Sequence, residues 1–505
     1  MNKLTFNTYT KKHGGRVVLL FLLFLLAIYE FVTAGFNGFA IICAIPILVG
    51  ITLLLFERGM LAFWALIGIN YLVQAKWLNL PLPTSVPNEL LQLLLLAIAL
   101  IDTQRSHFER SLNLMFLAVA TWCGFCTLEV LNDTCDIGID IGAWFTVARM
   151  IGYQLMYIFL VFTLYISSPK VLNRYLLVWG ALAFFAVFWV WKQQYIGFTA
   201  SENAFLQGRG RSTHLLQGGT LIRYFSIYSD AANFGIGMAS TAVAFIIFGI
   251  TAKVRKYKYV FLIIGFGCAW AMFISGTRTA MACFMAGLMM YIFLSKSFKI
   301  AIPFTLVFGL FVFILAFTTI GNGNQQIRRM RTVFDKNDAS AGQRSVNQQA
   351  MKKYMAEAPW GIGMGVGYGN APANNKYSFM ATVPPDSEFV FIWIHTGIIG
   401  ITVFLLCMGL MLFGGCRIVF FVLKSSSLRG IGAGCCCAFS SQLLGGYGNQ
   451  VLLQFPNCLV FYGGLAMVYV LPYIEKEWIE YEQQLLEKQE EKTRLKLEKK
   501  RTSRV

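Results

Sequence analysis

The sequence predicts an all-α fold, a polytopic membrane helical bundle of about fourteen transmembrane helices, with twelve or thirteen left open. Of its 505 residues, 57% are hydrophobic and only 13% are charged. Apolar segments recur along the chain, and their lengths are close to the roughly 20 residues that one transmembrane span needs. Basic residues alternate between the connections as the positive-inside rule requires. Together these three observations exclude an ordinary soluble protein.

The first candidate span follows a basic N-terminus. No small-residue cleavage site follows it, so we interpret it as a retained span rather than a signal peptide. Two later segments, a short one at 88–103 and a Gly- and Ser-rich one at 429–447, leave the count open. The candidates lie near residues 17–35, 38–56, 60–78, 88–103, 111–131, 147–168, 171–192, 227–250, 257–275, 279–295, 300–320, 395–416, 429–447 and 452–473.

Charge in the connections predicts the topology. With a cytoplasmic N-terminus, every short inside connection is basic, as in AKVRKYK at 252–258. The outside connection at 132–140 carries three aspartates and no base. Both termini are therefore predicted to be cytoplasmic. Residues 1–474 form the predicted transmembrane domain, and residues 475–505 form a charged cytoplasmic tail.

The net charge of +18 does not indicate a nucleic-acid partner, because much of it lies in the inside connections. Two predicted external loops are also basic: residues 192–226, and the longer, partly helical loop at 321–386. Bases outside the membrane favour an anionic ligand there, and ordinary solvated charge is the alternative. The cysteines fall mostly inside apolar segments, so we predict neither a disulfide framework nor a metal site.

Three motifs carry candidate functional residues. In SGTRTAM (275–281), Arg278 lies in a predicted external turn, where a permanent charge must be hydrated, paired or bound to an anion. Arg223 precedes a span that Asp230 and Asn233 open, and both residue types are good N-caps. Alternating glycines begin at Gly361, after an amphipathic helix predicted near 341–357. Their spacing does not fit the dinucleotide-binding fingerprint.

In this order the motifs resemble the O-antigen ligase and O-antigen polymerase family of bacterial membrane glycosyltransferases. That family has an arginine ahead of a span that opens with Asp/Pro-Asn, then a short Ser-Arg-Gly/Thr turn. A long external loop comes next, with an Arg-started helix that ends in Pro-x-x-Gly-x-Gly-x-Gly. The matching residues, within a family-like core at about 220–420, are Arg223, Asp230, Asn233, Ser275 to Thr279, Arg344 and Pro359 to Gly367.

The resemblance implies transfer or polymerisation of an undecaprenyl-diphosphate-linked glycan at the outer face of the bacterial cytoplasmic (inner) membrane. The acceptor would be a lipid A core or a second lipid-linked glycan. Arg223, Arg278 and Arg344 would bind the diphosphate, because guanidinium groups bind phosphates bidentately. We assign Asp230, Asn233 and His214 to the acceptor or to support of the site. No cofactor is implied, and we expect a metal-independent enzyme.

The general base is predicted at the mouth of the span that comes after the long loop. Where family ligases carry His-Asn-x-x-Leu, this chain has Asp386-Ser387-Glu388-Phe389-Val390. We predict Asp386 and Glu388 as catalytic residues, since partial desolvation raises a carboxyl pKa towards a useful value. Helix capping by Asp386 is the alternative. The departure from the family motif leaves ligase and polymerase both open.

A transporter or flippase of lipid-linked saccharide is the competing class. It would place charged residues near the bilayer midplane and show internal repeats. Here the polar candidates gather on one side and no repeat is visible, which favours the enzyme.

Overall fold

The computed structural model describes isolated positions between residues 15 and 55, and then longer stretches. Those stretches are residues 57–76, 85–101, 106–216, 221–296, 298–321, 323, 325–331, 339–366, 375–382 and 387–502. The backbone divides into a unit at residues 1–65 and a unit at residues 66–505. The predicted spans near 17–35 and 38–56 lie largely outside the described residues.

The described chain is predominantly α-helical, which confirms the predicted fold class. Two two-residue strands, β1 (Leu215–Leu216) and β2 (Leu221–Ile222), pair antiparallel. The helices are α1 Gly59–Leu72, α2 Ser85–Ile101, α3 Leu114–Leu128, α4 Ile141–Ala148, α5 Gln154–Tyr165, α6 Pro169–Tyr195, α7 Ala200–Gln207, α8 Arg211–His214, α9 Ala231–Thr251, α10 Arg255–Ile274, α11 Arg278–Leu294, α12 Phe298–Phe317, α13 Gln325–Arg331, α14 Ala339–Met355, α15 Ser378–Thr382, α16 Glu388–Arg417, α17 Ser426–Gly448 and α18 Asn457–Thr502.

Seven helical stretches in the described residues are long and apolar enough to cross a membrane. Three shorter apolar helices, α1, α2 and α11, coincide with further predicted segments. The fold is therefore that of a polytopic membrane protein, and the number fourteen remains a prediction. The seven stretches are Leu114–Leu131, Ile141–Tyr165, Pro169–Tyr195, Ala231–Thr251, Arg255–Ile274, Glu388–Val422 and Asn457–Leu495.

Helix α9 lies at the centre of the second unit, with most of its residues buried against α10, α11 and α17. Small residues make this close packing possible. The hydrophobic effect does not drive helices together in lipid, so they associate through close contact of their backbones. Ser441 of α17 donates a hydrogen bond to the carbonyl of Cys283 at 2.8 Å. The Gly- and Ser-rich composition of α17 therefore reflects burial inside the bundle.

Helix α16 is broken at Gly397, which adopts φ 65° and ψ −168°. The break frees the carbonyls of Ile394 and His395, which accept hydrogen bonds from the N–H groups of Ile362 at 2.9 Å and Gly363 at 3.1 Å. The start of the alternating glycine run thus docks on the kink. Position 361 requires glycine, because a Cβ there would lie 2.5 Å from the backbone nitrogen of Gly397.

Gly397→Ala should therefore destabilise the protein. A Cβ at this position would lie 2.0 Å from the carbonyl oxygen of Pro359, and the backbone conformation disfavours L side chains. Strain and steric conflict together should lower the free energy of unfolding by about 3 kcal/mol. Thermal unfolding in detergent would measure it. Gly409→Ala in the same helix is the matched control, since a Cβ there meets nothing within 4 Å. Equal stability of the two variants would contradict the steric role of Gly397.

Helices α13, α14 and α15 lie within the predicted long loop. A small apolar cluster ties this region to the acidic connection at 132–140: Cys135 packs with Met351, Met355 and Met380. Asn132 donates to the carbonyl of Trp360 at 2.8 Å. The long loop is thus anchored beside the kink of α16.

Helix α18 runs without a break from Asn457 to Thr502, so the predicted boundary between residues 474 and 475 falls inside one helix. Its charged half packs against the connection between α9 and α10 and the first residue of α10. Lys253 pairs with the buried carboxylate of Glu482 at 2.8 Å, and Gln489 accepts from the N–H of Arg255.

Candidate functional site

The turn between α10 and α11, residues Ser275 to Thr279, is buried at its centre. The Ser275 hydroxyl donates to the carbonyl of Met272 at 2.7 Å and accepts from the N–H of Thr277 at 3.1 Å. Thr277 donates to the carbonyl of Ala231 at 2.7 Å, which fixes the turn against the start of α9. Arg278 begins α11 directly after this anchor and is half-buried.

Two further arginines reach the same turn. Arg223 donates from Nη2 to the Thr277 hydroxyl at 3.0 Å and from Nη1 to the carbonyl of Thr213 at 3.0 Å. Arg329, on α13, donates from Nε to the carbonyl of Gly276 at 2.6 Å. The structure therefore brings together the predicted residues Arg223 and Arg278 and adds Arg329. We call Arg223, Arg278 and Arg329 the arginine cluster.

Three permanent positive charges at one turn create a strong field for an anion. Because arginine cannot deprotonate, the cluster keeps its charge at any physiological pH. Planar guanidinium groups match the oxygens of phosphate bidentately. The arrangement can therefore hold a phosphate or diphosphate and stabilise negative charge that develops on it.

Asp230 and Asn233 build the start of α9. Asp230 is its N-cap, as predicted from sequence: Oδ1 accepts from the N–H groups of Ala232 at 2.8 Å and Asn233 at 2.9 Å. The buried Asn233 donates to the carbonyl of Phe455 at 2.8 Å, and its Oδ1 accepts from Asn457 at 2.6 Å. Both side chains are thus engaged in holding α9 in place.

His214 is buried beside the same helix start. Its Nε2 accepts from the N–H of Ala231 at 3.2 Å, so the proton lies on Nδ1, which contacts the carbonyl of Gly210 at 3.1 Å and the Thr213 hydroxyl at 2.8 Å. The pKa of His214 is lowered to about 4, mainly by burial; Asp230 opposes this shift, and the positive charge of Arg223 adds to it. The imidazole is therefore neutral near pH 7.

Acid should destabilise this region through His214. Its pKa in the unfolded chain, about 6.5, lies above the folded value, so the unfolded state binds the proton more tightly. Stability is thus unaffected above pH 6.5 and falls as pH drops towards 4, by about 3 kcal/mol at most. Protonated Nε2 would also confront the N–H of Ala231.

The measurement is thermal unfolding of wild type and His214→Gln across this pH range. The variant has no group that titrates there and should lose this part of the pH dependence. Identical pH profiles for the two proteins would contradict a buried neutral histidine.

Glu388 begins α16 and is 4% exposed. Its Oε2 accepts from the N–H of Leu452 at 3.1 Å, in the connection between α17 and α18. The N-cap of α16 is Ser387, whose hydroxyl accepts from the N–H of Phe389. Ser387, rather than Asp386, therefore stands at the N-cap position of this helix. Asp386 itself lies outside the described residues, as does the side chain of Arg344 on α14.

The connection at 449–456 was not predicted as part of the site. It reaches three of the site's elements: Asn449 donates to Thr279 at 3.1 Å, Leu452 to Glu388, and Gln454 accepts from Ser229 at 2.7 Å. Its polar residues between two apolar segments, NQVLLQFP, were the available signal. Among the residues that the structure describes, no three His, Cys, Asp or Glu side chains gather in a way that could hold a metal ion.

The helices define an integral membrane protein, and the arginine cluster is its candidate anion-binding site. Residues 260–405 match the family model described as O-antigen ligase. The match confirms, over this stretch, the resemblance seen in the motifs, and it supports a membrane glycosyltransferase activity of the ligase or polymerase type. Arg278, Arg329, Arg344, Asp386 and Glu388 lie inside the matched stretch. A comparison with curated proteins found no match.

Proposed function

We propose that the protein transfers or polymerises an oligosaccharide carried on undecaprenyl diphosphate, at the outer face of the bacterial cytoplasmic membrane. The observation that carries this proposal is the meeting of Arg223, Arg278 and Arg329 at one turn. A diphosphate leaving group needs such a charge-matched cradle, and the matched family supplies a lipid-linked glycan as the substrate class.

The proposed reaction is a glycosyl transfer from the lipid diphosphate to an acceptor hydroxyl. A hydroxyl of the acceptor, either a lipid A core or a second lipid-linked glycan, attacks the anomeric carbon of the donor. The carbon–oxygen bond to the diphosphate breaks, and its electron pair stays on the diphosphate, held by the arginine cluster together with Arg344. The hydroxyl proton passes to Asp386 or Glu388 as general base. Asp230, Asn233 and His214 support the cradle, since their polar atoms bind the start of α9.

The outer location rests on the charge pattern of the connections, and labelling can test it. Single cysteines placed in the long loop at 321–386, in a background without reactive thiols, should react with an impermeant reagent added from outside. Cysteines near either terminus should be protected in intact cells. Reaction of the loop from the cytoplasmic side only would overturn the proposed side of the site.

Purified protein with lipid-linked repeat units tests the activity. A ladder of longer lipid-linked glycans identifies a polymerase, and transfer to added lipid A core identifies a ligase. Both release undecaprenyl diphosphate. Absence of any new glycosidic bond would overturn the proposed enzyme activity. Movement of intact donor across a vesicle membrane would favour the flippase.

A further inference from the structure

A second basic surface lies next to the arginine cluster. It is an open cleft of about 500 Å³, and it contains none of the residues assigned to the diphosphate, the base or their support. We call it the Lys76 cleft. It is lined by Lys76, Ser201, Ala204, Phe205, Gly208 and Arg209.

The two cations of the cleft are unusually placed. The ammonium of half-buried Lys76 lies 4.4 Å from the ring centroid of Phe205. Asp230 and Arg209 both lie close enough to Lys76 to interact with its charge. Neither cation has an ion-pair partner in the described part of the chain. Two like charges that share a cleft disfavour each other unless an anion enters between them.

The wall of the cleft is firmly built. Glu202 on α7 is fully buried, and its carboxylate accepts from Trp189 at 2.7 Å, from Gln193 at 2.8 Å and from the N–H of Thr199 at 2.7 Å. Burial alone would raise the pKa of Glu202, but these hydrogen bonds outweigh it and lower the pKa. Helix α7 is thereby locked to α6, which fixes the positions of Ser201 and Phe205, and Arg209 follows just after the end of the helix.

The same wall joins the cleft to the proposed active site. The Phe205 ring packs edge-on against His214 at 5.3 Å and against Phe225 at 5.3 Å. His214 holds the start of α9, and its carbonyl accepts from the N–H of Arg223. A ligand in the cleft would therefore lie one side chain away from the support of the arginine cluster.

We propose that the Lys76 cleft binds an acidic sugar of the glycan substrate, with the sugar's carboxylate or phosphate on Lys76 and Arg209. This deepens the proposed function and rests on it for the identity of the substrate. The protein would then select glycans with a negative charge near the bond that is made.

Size and lining favour a sugar over a free phosphate. About 500 Å³ lies in the range of small-molecule sites, and is far more than one phosphate group fills. An aromatic ring with a few polar groups is the usual lining of such a site. Here Phe205 provides the apolar surface and Ser201 a hydroxyl, while the two cations contribute charge selectivity.

Direct binding to the full-length protein in detergent tests the inference without catalysis. The probes are an oligosaccharide that contains glucuronic acid, its neutral glucose analogue, and inorganic pyrophosphate, each measured by isothermal titration calorimetry. The acidic sugar should bind, and the neutral sugar at least about tenfold more weakly. Lys76→Gln and Arg209→Gln should each weaken binding of the acidic sugar about tenfold.

Arg209 is exposed, so its variant should fold normally, and exposed Arg211, which does not line the cleft, gives the matched control Arg211→Gln. Equal binding of acidic and neutral sugars overturns the inference. So does unchanged affinity in both cleft variants, or an effect of these variants on pyrophosphate alone.

Arg278→Lys separates this inference from the proposed function. It should impair glycan transfer while leaving the acidic sugar bound in the cleft. The protein could also bind the acidic sugar through Lys76 and Arg209 and yet transfer no glycan. That result would overturn the proposed enzyme activity and support the binding site.

Discussion

Arg278→Ala is expected to reduce glycan transfer about a hundredfold or more, because it removes a donor to the charge that develops on the diphosphate. Loss of one such donor costs about 3 kcal/mol in the transition state. Arg278→Lys should remain strongly impaired, since an ammonium keeps the charge but loses the planar fork. Arg278 starts α11 at the turn that Arg223 and Arg329 both contact.

The measurement is the rate of transfer from lipid-linked donor by purified variants of equal thermal stability. Arg255 gives the matched control, because it starts α10, at the far end of that helix from the turn, and is exposed. Arg255→Lys should leave the rate unchanged. Wild-type transfer by well-folded Arg278→Ala would refute the role of this arginine in binding the diphosphate.

Hydropathy predicted most of the described helices because each is a continuous apolar run. It misplaced the start of α16, which begins at Glu388 rather than near residue 395. Ser387 caps the helix by accepting from Phe389, and the buried Glu388 is one polar residue at the head of an otherwise apolar helix. The kink at Gly397 could not be predicted, because it depends on a segment more than thirty residues earlier that docks on it.

Part of the site was predictable because its residues lie at recognisable places in the sequence. Arg223, Asp230, Asn233 and Arg278 lie in short motifs next to span ends, where a charge or a cap is conspicuous. Lys76 comes after an apolar helix as an isolated lysine, and only the fold brings it to Phe205 on α7. Such contacts between distant parts of the chain leave no local pattern.

The connection at 449–456 is a further case. Its polar side chains gave a weak signal, but part of its role depends on backbone groups, such as the N–H of Leu452 and the carbonyl of Phe455, which the residues around them also possess. No side-chain pattern in the sequence can mark a backbone group as a partner. The same limit applies to the carbonyl of Gly276, which receives Arg329.

Asp386→Asn or Glu388→Gln is expected to reduce turnover about a hundredfold or more if the altered residue is the general base. The amide preserves shape but accepts no proton, so lipid-linked donor should still bind. Because Ser387 is the N-cap of α16, loss of capping cannot explain an effect of Asp386→Asn. A large loss of turnover in that variant would therefore indicate chemistry at Asp386.

Glu388 needs a second readout, because it also holds Leu452. A purely structural Glu388 predicts near-normal turnover in Glu388→Gln, whose amide oxygen can still accept from that N–H. Glu388→Ala would then leave a buried donor unsatisfied and lower the free energy of unfolding by about 1–3 kcal/mol. If Glu388 is catalytic, Glu388→Gln should keep the stability of the wild type and lose turnover.

Asp136→Asn is the control for both amide variants, since Asp136 is exposed and its φ of 50° suits asparagine. If Asp386→Asn and Glu388→Gln both keep wild-type turnover, the base is neither carboxylate. His214 would then be the next candidate, and it would have to release Nε2 from the N–H of Ala231 before it could accept a proton there. That requirement sets its own test, because a His214 base would make turnover and the stability of the start of α9 change together with pH.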